Sequence, residues 1–212
     1  MAFPEHLVDR FQRFKFRHFA PNTDHYQELA EKGQKPDVMM VSCCDSRVDP
    51  ETIFSAMPGE LFVVRNVANL VPPFETGGNY HGVSAALEFA ILNLRVKHVV
   101  VMGHSSCGGI TAALQGHAAH ETEARFISKW MSMLDEAKSR LKMAHPGTAE
   151  DSQMQRWLEQ EAVATSLTNL RTFPCVQQLE AKGKLQLHGA HFDIGSGQLT
   201  VLNEETREFE TV

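Results

Sequence analysis

Two apolar runs organise the chain. Val38-Met39-Met40-Val41 and Val99-Val100-Val101-Met102 contain no polar residue, the pattern of strands buried on both faces of a parallel sheet. The first predicts a strand over Asp37 to Val41, and Leu61-Phe62-Val63-Val64-Arg65 predicts another after the Pro58-Gly59 turn. Between Tyr80 and Leu94, residues Val83, Ala86, Leu87, Ala90, Ile91 and Leu94 recur at helical spacing, so a crossover helix precedes the Val99 strand in a βαβ unit.

The remaining pattern is helical at both ends of this unit. Leu7, Val8, Phe11 and Phe14 line one side of an N-terminal amphipathic helix that can begin at Pro4, and a second helix runs from Asp24 to Lys32, stopped by Gly33. Further helices are predicted over Glu121 to Leu141, ended by Pro146-Gly147, over Ser152 to Leu170, and over Pro174 to Ala181. Leu185 to Asp193 and Gln198 to Leu202 flank Gly195-Ser196-Gly197 as a hairpin. The expected fold class is α/β: a mostly parallel sheet of about four or five strands flanked by helices, with an N-terminal helical arm and a C-terminal hairpin. One domain over residues 1–212 is expected, with 1–33 as the arm and 34–212 as the α/β core.

Composition narrows the classes of partner. A net charge of −6 gives no global attraction to nucleic acid or anionic membrane, although residues 10–17 are locally basic. No apolar stretch approaches the roughly 20 residues of a membrane span, and the N-terminus lacks signal-peptide order, so the expected compartment is the cytoplasm. Four cysteines, at 43, 44, 107 and 175, do not make a secreted disulfide framework, which points to metal or thiolate use.

The chemistry falls at two strand ends. Cys43-Cys44-Asp45-Ser46-Arg47 follows the first run, and Asp49-Pro50 starts a helix after it; His104-Ser105-Ser106-Cys107-Gly108-Gly109 follows the second and leads into a helix. In open parallel sheets ligands bind at the carboxyl ends of strands. Cys43, His104 and Cys107 are zinc ligand types, and Asp45 is an ambiguous fourth: it could close a structural site, or pair with Arg47 and leave an open, catalytic position. In the open case the carboxylate can accept a hydrogen bond from bound hydroxide and orient it. Two thiolates donate more charge than three histidines and acidify zinc-bound water less, so activity should rise into the alkaline range. Cys44 and Cys175 read as buried thiols; His6, His18, His117, His120 and His145 read as solvated, with His81, His98, His188 and His191 unassigned.

These motifs, together with Pro58-Gly59-Glu60-Leu61-Phe62-Val63-Val64-Arg65-Asn66-Val67-Ala68-Asn69 and the ending Leu187-His188-Gly189 with Phe192-Asp193, resemble the β-class carbonic anhydrases over most of residues 34 to 202. The resemblance implies zinc on Cys43, His104 and Cys107, with Asp45 a ligand only in a closed site, and an Asp45–Arg47 catalytic pair that orients zinc-bound hydroxide for reversible hydration of carbon dioxide to bicarbonate and a proton. It implies a homodimer, or a higher oligomer of dimers, with the active site at the subunit interface. It also implies that Gln34, Phe62 and Val67 line the carbon dioxide pocket and that Gly108 presents a backbone N–H to substrate. A second, inhibitory bicarbonate site known in part of that family would fall on Met40, Arg65 and Phe192; only the arginine matches, so an open resting state is expected. Competing readings are a structural zinc domain, a relative acting on carbon disulfide or carbonyl sulfide, and thiol redox chemistry at Cys43-Cys44.

Overall fold

The computed structural model describes residues 3–78, 80–115, 125–147 and 151–212. Helix α1 (Glu5–Phe14) leads through an irregular helical stretch into α2 (Thr23–Lys32), which stops at Gly33, whose φ of 78° suits glycine. Then come β1 (Val38–Cys43), α3 (Pro50–Ile53), β2 (Leu61–Asn66), α4 (Gly82–Glu88), β3 (His98–His104) and α5 (Gly108–Gln115). They are followed by α6 (Arg125–Met131), α7 (Asp135–Ala144), α8 (Asp151–Leu170), α9 (Pro174–Glu180), β4 (Gln186–Phe192), β5 (Leu199–Asn203) and β6 (Glu208–Thr211). The predicted crossover helix begins at Gly82 rather than Tyr80 and winds on as a wider π-helical turn to Leu94. The start of the helix predicted from Glu121, and His117 and His120, lie outside the described residues.

Among the described residues the sheet has six strands in the order β2-β1-β3-β4-β5-β6, not four or five. The first four are parallel, and β4, β5 and β6 are joined antiparallel, so the expected hairpin forms and a second follows it. The chain leaves β1 to one side for β2 and then crosses to the other side for β3, which opens a crevice at the carboxyl ends of β1 and β3. Cys43 and His104 are the last residues of those two strands.

One face of the sheet is well covered. Met39, Val41, Val99, Val101 and Leu187 pack against Leu87 of α4, Ala90 and Ile91 beyond it, and Val163, Leu167 and Leu170 of α8. Helix α8 lies close enough to β3 and β4 that only glycine fits beneath it: a Cβ on Gly103 would stand 2.9 Å from Val163 Cγ2, and one on Gly189 2.8 Å from Val163 Cγ1. The opposite face differs from the expectation of helices on both sides. Its buried cluster is Met40, Met102 and Ala190, and the helical residue packed there is Ile53 of α3. An open hollow of about 400 Å³ lined by Val38, Met40, Val100, Ala190, Leu199 and Val201 remains. The strands are apolar on both faces, but among the described residues only the short helix α3 covers part of the second face. No described helix is long and apolar enough to cross a membrane.

Candidate metal centre

Both strand ends turn sharply. After Cys43, the Cys44 N–H donates to the Asn66 carbonyl (2.9 Å), Asp45 Oδ1 accepts the Arg47 N–H (3.0 Å), and the Asp45 carbonyl accepts the Val48 N–H (3.1 Å). Asp49 caps α3 by accepting from the Thr52 N–H (3.0 Å), with Pro50 at the first helical position, as expected. After His104, Ser106 takes a left-handed φ of 57°, and Cys107 stands at the start of α5, its carbonyl accepting the Thr111 N–H (3.0 Å). Helix α5 fits over the turn 67–69 because Gly109 lacks a Cβ, which would stand 2.7 Å from Val67 Cγ1. Ala68 in that turn holds a left-handed φ of 62°.

The three expected ligands converge and are buried. Sγ of Cys43 and Sγ of Cys107 are 3.9 Å apart, and the ligand atoms of Cys43, His104 and Cys107 all lie within 4.8 Å of one another. The His104 Nδ1–H donates to the Ser105 carbonyl (2.9 Å), which fixes the tautomer with a lone pair on Nε2. That buried Nε2 has no protein partner. Two sulfurs each about 2.3 Å from one tetrahedral zinc stand about 3.8 Å apart, so the donor set and its spacing fit zinc. The Cys107 thiol draws the Cys43 pKa down against the cost of burial, and the same pairing pushes Cys107 up. Burial opposes the His104 cation, but the Cys43 thiolate and the Ser105 carbonyl outweigh it and raise its pKa. The protons held in this cluster are those that a binding metal displaces.

Asp45 lies beside this cluster and is engaged by Arg47. Its Oδ1 accepts from Arg47 Nε (2.9 Å) and its Oδ2 from Arg47 Nη2 (2.7 Å), a bidentate pair; Nη2 also donates to the Ser106 carbonyl (3.0 Å). The guanidinium holds the Asp45 carboxyl well below the usual carboxylate range.

Of the expected pocket residues, Val67 packs against the cluster that contains Cys43 and Cys107, and Gly108 directly follows Cys107. The Val67 carbonyl accepts from Trp130 Nε1 (2.8 Å), and the Cβ position of Gly108 faces open space. Gln34 and Phe62 are not brought there within one protomer. Gln34 is exposed between α2 and β1. Phe62 sits four residues before Asn66, the partner of Cys43 in the sheet, which is about 13 Å along the strand.

Other residues took roles that the sequence reading did not give them. Arg65 donates from Nε to the Cys43 carbonyl (2.9 Å) and from Nη2 to the Asp45 carbonyl (2.7 Å), and its Nη1 lies 3.3 Å from Asp49 Oδ1. Buried Glu159 accepts the Cys107 N–H (3.0 Å). The available signal was its place beside Ala162, Val163 and Ser166 on the apolar side of a helix. His191 is buried against Glu159 at 3.3 Å, and His98 meets His188 at 3.1 Å. His6 and His18 are exposed as expected, but His145 stacks on Trp157 with ring centroids 3.9 Å apart. Cys44 is exposed rather than buried, because it lies past the strand end, and Cys175 is half-buried.

A family model described as carbonic anhydrase matches residues 38–199. Beta carbonic anhydrase 3 of Arabidopsis thaliana is 38% identical over 195 residues, covering 91% of this chain and 74% of that protein. Beta carbonic anhydrase 6, mitochondrial, of the same plant is 35% identical over 198 residues, covering 93% and 67%. Among solved structures, the β-carbonic anhydrase CcaA superposes with a TM-score of 0.90 at 29% identity, covering 98% of each chain. One of two tetrameric β-carbonic anhydrases from Sordaria macrospora gives 0.80 at 27%, covering 94% of this chain and 96% of that one. Family model, sequence relatives and fold agree with the zinc-type ligand set at the crevice, and the chain belongs to the β-class carbonic anhydrases, zinc-dependent lyases of carbon dioxide and bicarbonate.

Proposed function

We propose that reversible carbon dioxide hydration takes place at Cys43, His104 and Cys107, with Asp45 and Arg47 as the catalytic pair. The supporting observation is that three buried ligand atoms cluster while the Asp45 carboxylate is engaged by Arg47 beside them. Zinc held by these ligands would supply Lewis acidity that lowers the pKa of water, less so than with three neutral imidazoles because two of the donors are thiolates. The residues do the rest. Asp45, kept ionised by Arg47, accepts a hydrogen bond from the nucleophile and turns its lone pair toward carbon dioxide. Arg47 is fixed in turn by the Ser106 carbonyl, so the carboxylate acts from one position. Val67 supplies an apolar wall, and the unobstructed start of α5 at Gly108 offers N–H groups to the forming bicarbonate.

The assembly we propose is a homodimer or an oligomer of dimers, each protomer a single domain over residues 1–212 with its arm at 1–33. Support comes from the uncovered apolar sheet face and from the exposed phenylalanines of the arm, Phe11 at 54% and Phe16 at 80%. The distance of Gln34 and Phe62 from their own centre favours their serving the centre of a second copy. The Sordaria macrospora relatives are tetrameric. A cytoplasmic setting suits four cysteines that form no disulfide. The test is stopped-flow carbon dioxide hydration alongside zinc content and light scattering. Stoichiometric zinc without hydration would overturn the catalytic reading.

A further inference from the structure

Helix α5 begins at a residue whose side chain is committed elsewhere. A helix start is ordinarily tied down by a Ser, Thr, Asp or Asn side chain, often with a Glu three residues on that reaches back to the cap's own N–H. Here the cap position is Cys107, and Ile110 stands three residues on. The Cys107 sulfur lies in the ligand cluster, 3.9 Å from the Cys43 sulfur, so it faces the metal position and not the helix start as a capping oxygen would. The backbone N–H of Cys107 is left to be satisfied from outside the helix.

Glu159, on α8, satisfies it. Its Oε1 accepts the Cys107 N–H at 3.0 Å and a Gln155 Nε2–H at 3.0 Å, and its Oε2 lies 3.3 Å from His191 Nε2 on β4. Gln155 is braced on the far side by the Thr111 hydroxyl of α5, 3.1 Å from its Oε1. Both Glu159 and His191 are 3% exposed. Burying a carboxylate is costly unless its oxygens are bonded, and both oxygens of this one are engaged. One turn along α8, Val163 packs where Gly103 and Gly189 make room, which locks the helix that carries Glu159.

We propose that Glu159 is a positioning residue for the zinc site. Its carboxylate caps α5 from outside at Cys107, and Gln155 and His191 hold its two oxygens so that the Cys107 sulfur stays where a tetrahedral ion needs it. This rests on the reading that Cys107 is a zinc ligand. Outer partners of metal ligands typically contribute about 10–100-fold to metal affinity.

The experiment measures zinc transfer from the purified holoenzyme to a chromophoric chelator, together with the visible absorption bands of the Co2+-substituted protein, in Glu159→Leu, Glu159→Gln and Cys107→Ala. Thermal unfolding of each metal-free protein reports the fold separately. Glu159→Leu should release zinc about 10–100-fold more readily and shift the Co2+ bands. Glu159→Gln keeps an oxygen for the Cys107 N–H and turns an amide N–H to His191, so it should stay within about threefold of the parent and keep the parent bands. Zinc retention by Glu159→Leu within threefold of the parent, or equal loss in the Gln and Leu variants, overturns the proposal. Should Glu159→Leu fail to fold, the double variant Gln155→Ala, His191→Phe frees the carboxylate while leaving its Cys107 bond possible. It should weaken zinc retention about three- to tenfold, and parent-like retention overturns the proposal. Zinc retained by Cys107→Ala would instead overturn the ligand assignment on which it rests.

Discussion

Replacing Asp45 by Asn separates catalysis from stability. The carboxylate accepts three hydrogen bonds, from the Arg47 backbone N–H, Nε and Nη2. An amide can accept with one atom only and presents an N–H₂ to the guanidinium, so at least one of these contacts becomes repulsive. The Arg47 side chain is 50% exposed, which places the pair with surface ion pairs worth about 0–1 kcal/mol. For a chain of this length that corresponds to a Tm fall of no more than about 2–4 °C. Turnover should suffer far more. Loss of the acceptor that orients the nucleophile should cost about 10²-fold, which is about 2.7 kcal/mol of barrier. The assay is stopped-flow carbon dioxide hydration with zinc content and Tm measured on the same preparation. A fully zinc-loaded Asp45→Asn protein within tenfold of the parent kcat/KM would refute the role of Asp45. The pH dependence follows from the sign of the shift. The folded pKa of Asp45 is depressed, so its stabilisation is complete above the unfolded value of about 3.9 and is lost only as pH falls through the lower folded value. The Tm difference between parent and variant should therefore be flat from about pH 5 to 9.

Cys107→Ala should lose most bound zinc and activity, since two remaining protein ligands cannot hold a tetrahedral site; metal analysis of the purified variant decides it. Gly109→Ala would drive a Cβ to 2.7 Å from Val67 Cγ1 and 3.2 Å from Ala68 Cβ, which should cost about 1–3 kcal/mol, read as a lower Tm. Phe11→Ser with Phe14→Ser should shift the protein toward monomer in light scattering and reduce activity with it; an active dimer indistinguishable from the parent would remove the arm from assembly. Bicarbonate should inhibit without cooperativity, because Arg65 already donates to the Cys43 and Asp45 carbonyls while Met40 and Phe192 have no hydrogen to donate. A steep sigmoidal loss of activity with bicarbonate would contradict this.

Local pattern determined a good deal about this protein. The uninterrupted apolar runs at 38–41 and 99–102 form central strands, Asp49-Pro50 starts a helix, and Gly195-Ser196-Gly197 turns a hairpin, each as the local pattern predicts. His104 and Cys107 fall within one turn by their spacing alone. The tertiary structure decided what depends on residues far apart. Strand β6 went unread because Glu208-Phe209-Glu210-Thr211 carries one apolar residue, and its strand form comes from pairing Phe209 with Leu202 at the sheet edge. Arg65 reads in sequence as the last residue of a strand, and Glu159 as one more acid on a helix. Both are drawn inward by backbone groups at these turns: Arg65 by the Cys43 carbonyl and the second lone pair of the Asp45 carbonyl, and Glu159 by the Cys107 N–H. The uncovered sheet face was equally invisible, because an apolar run states that a strand needs covering on both sides and cannot state whether the cover comes from the same chain.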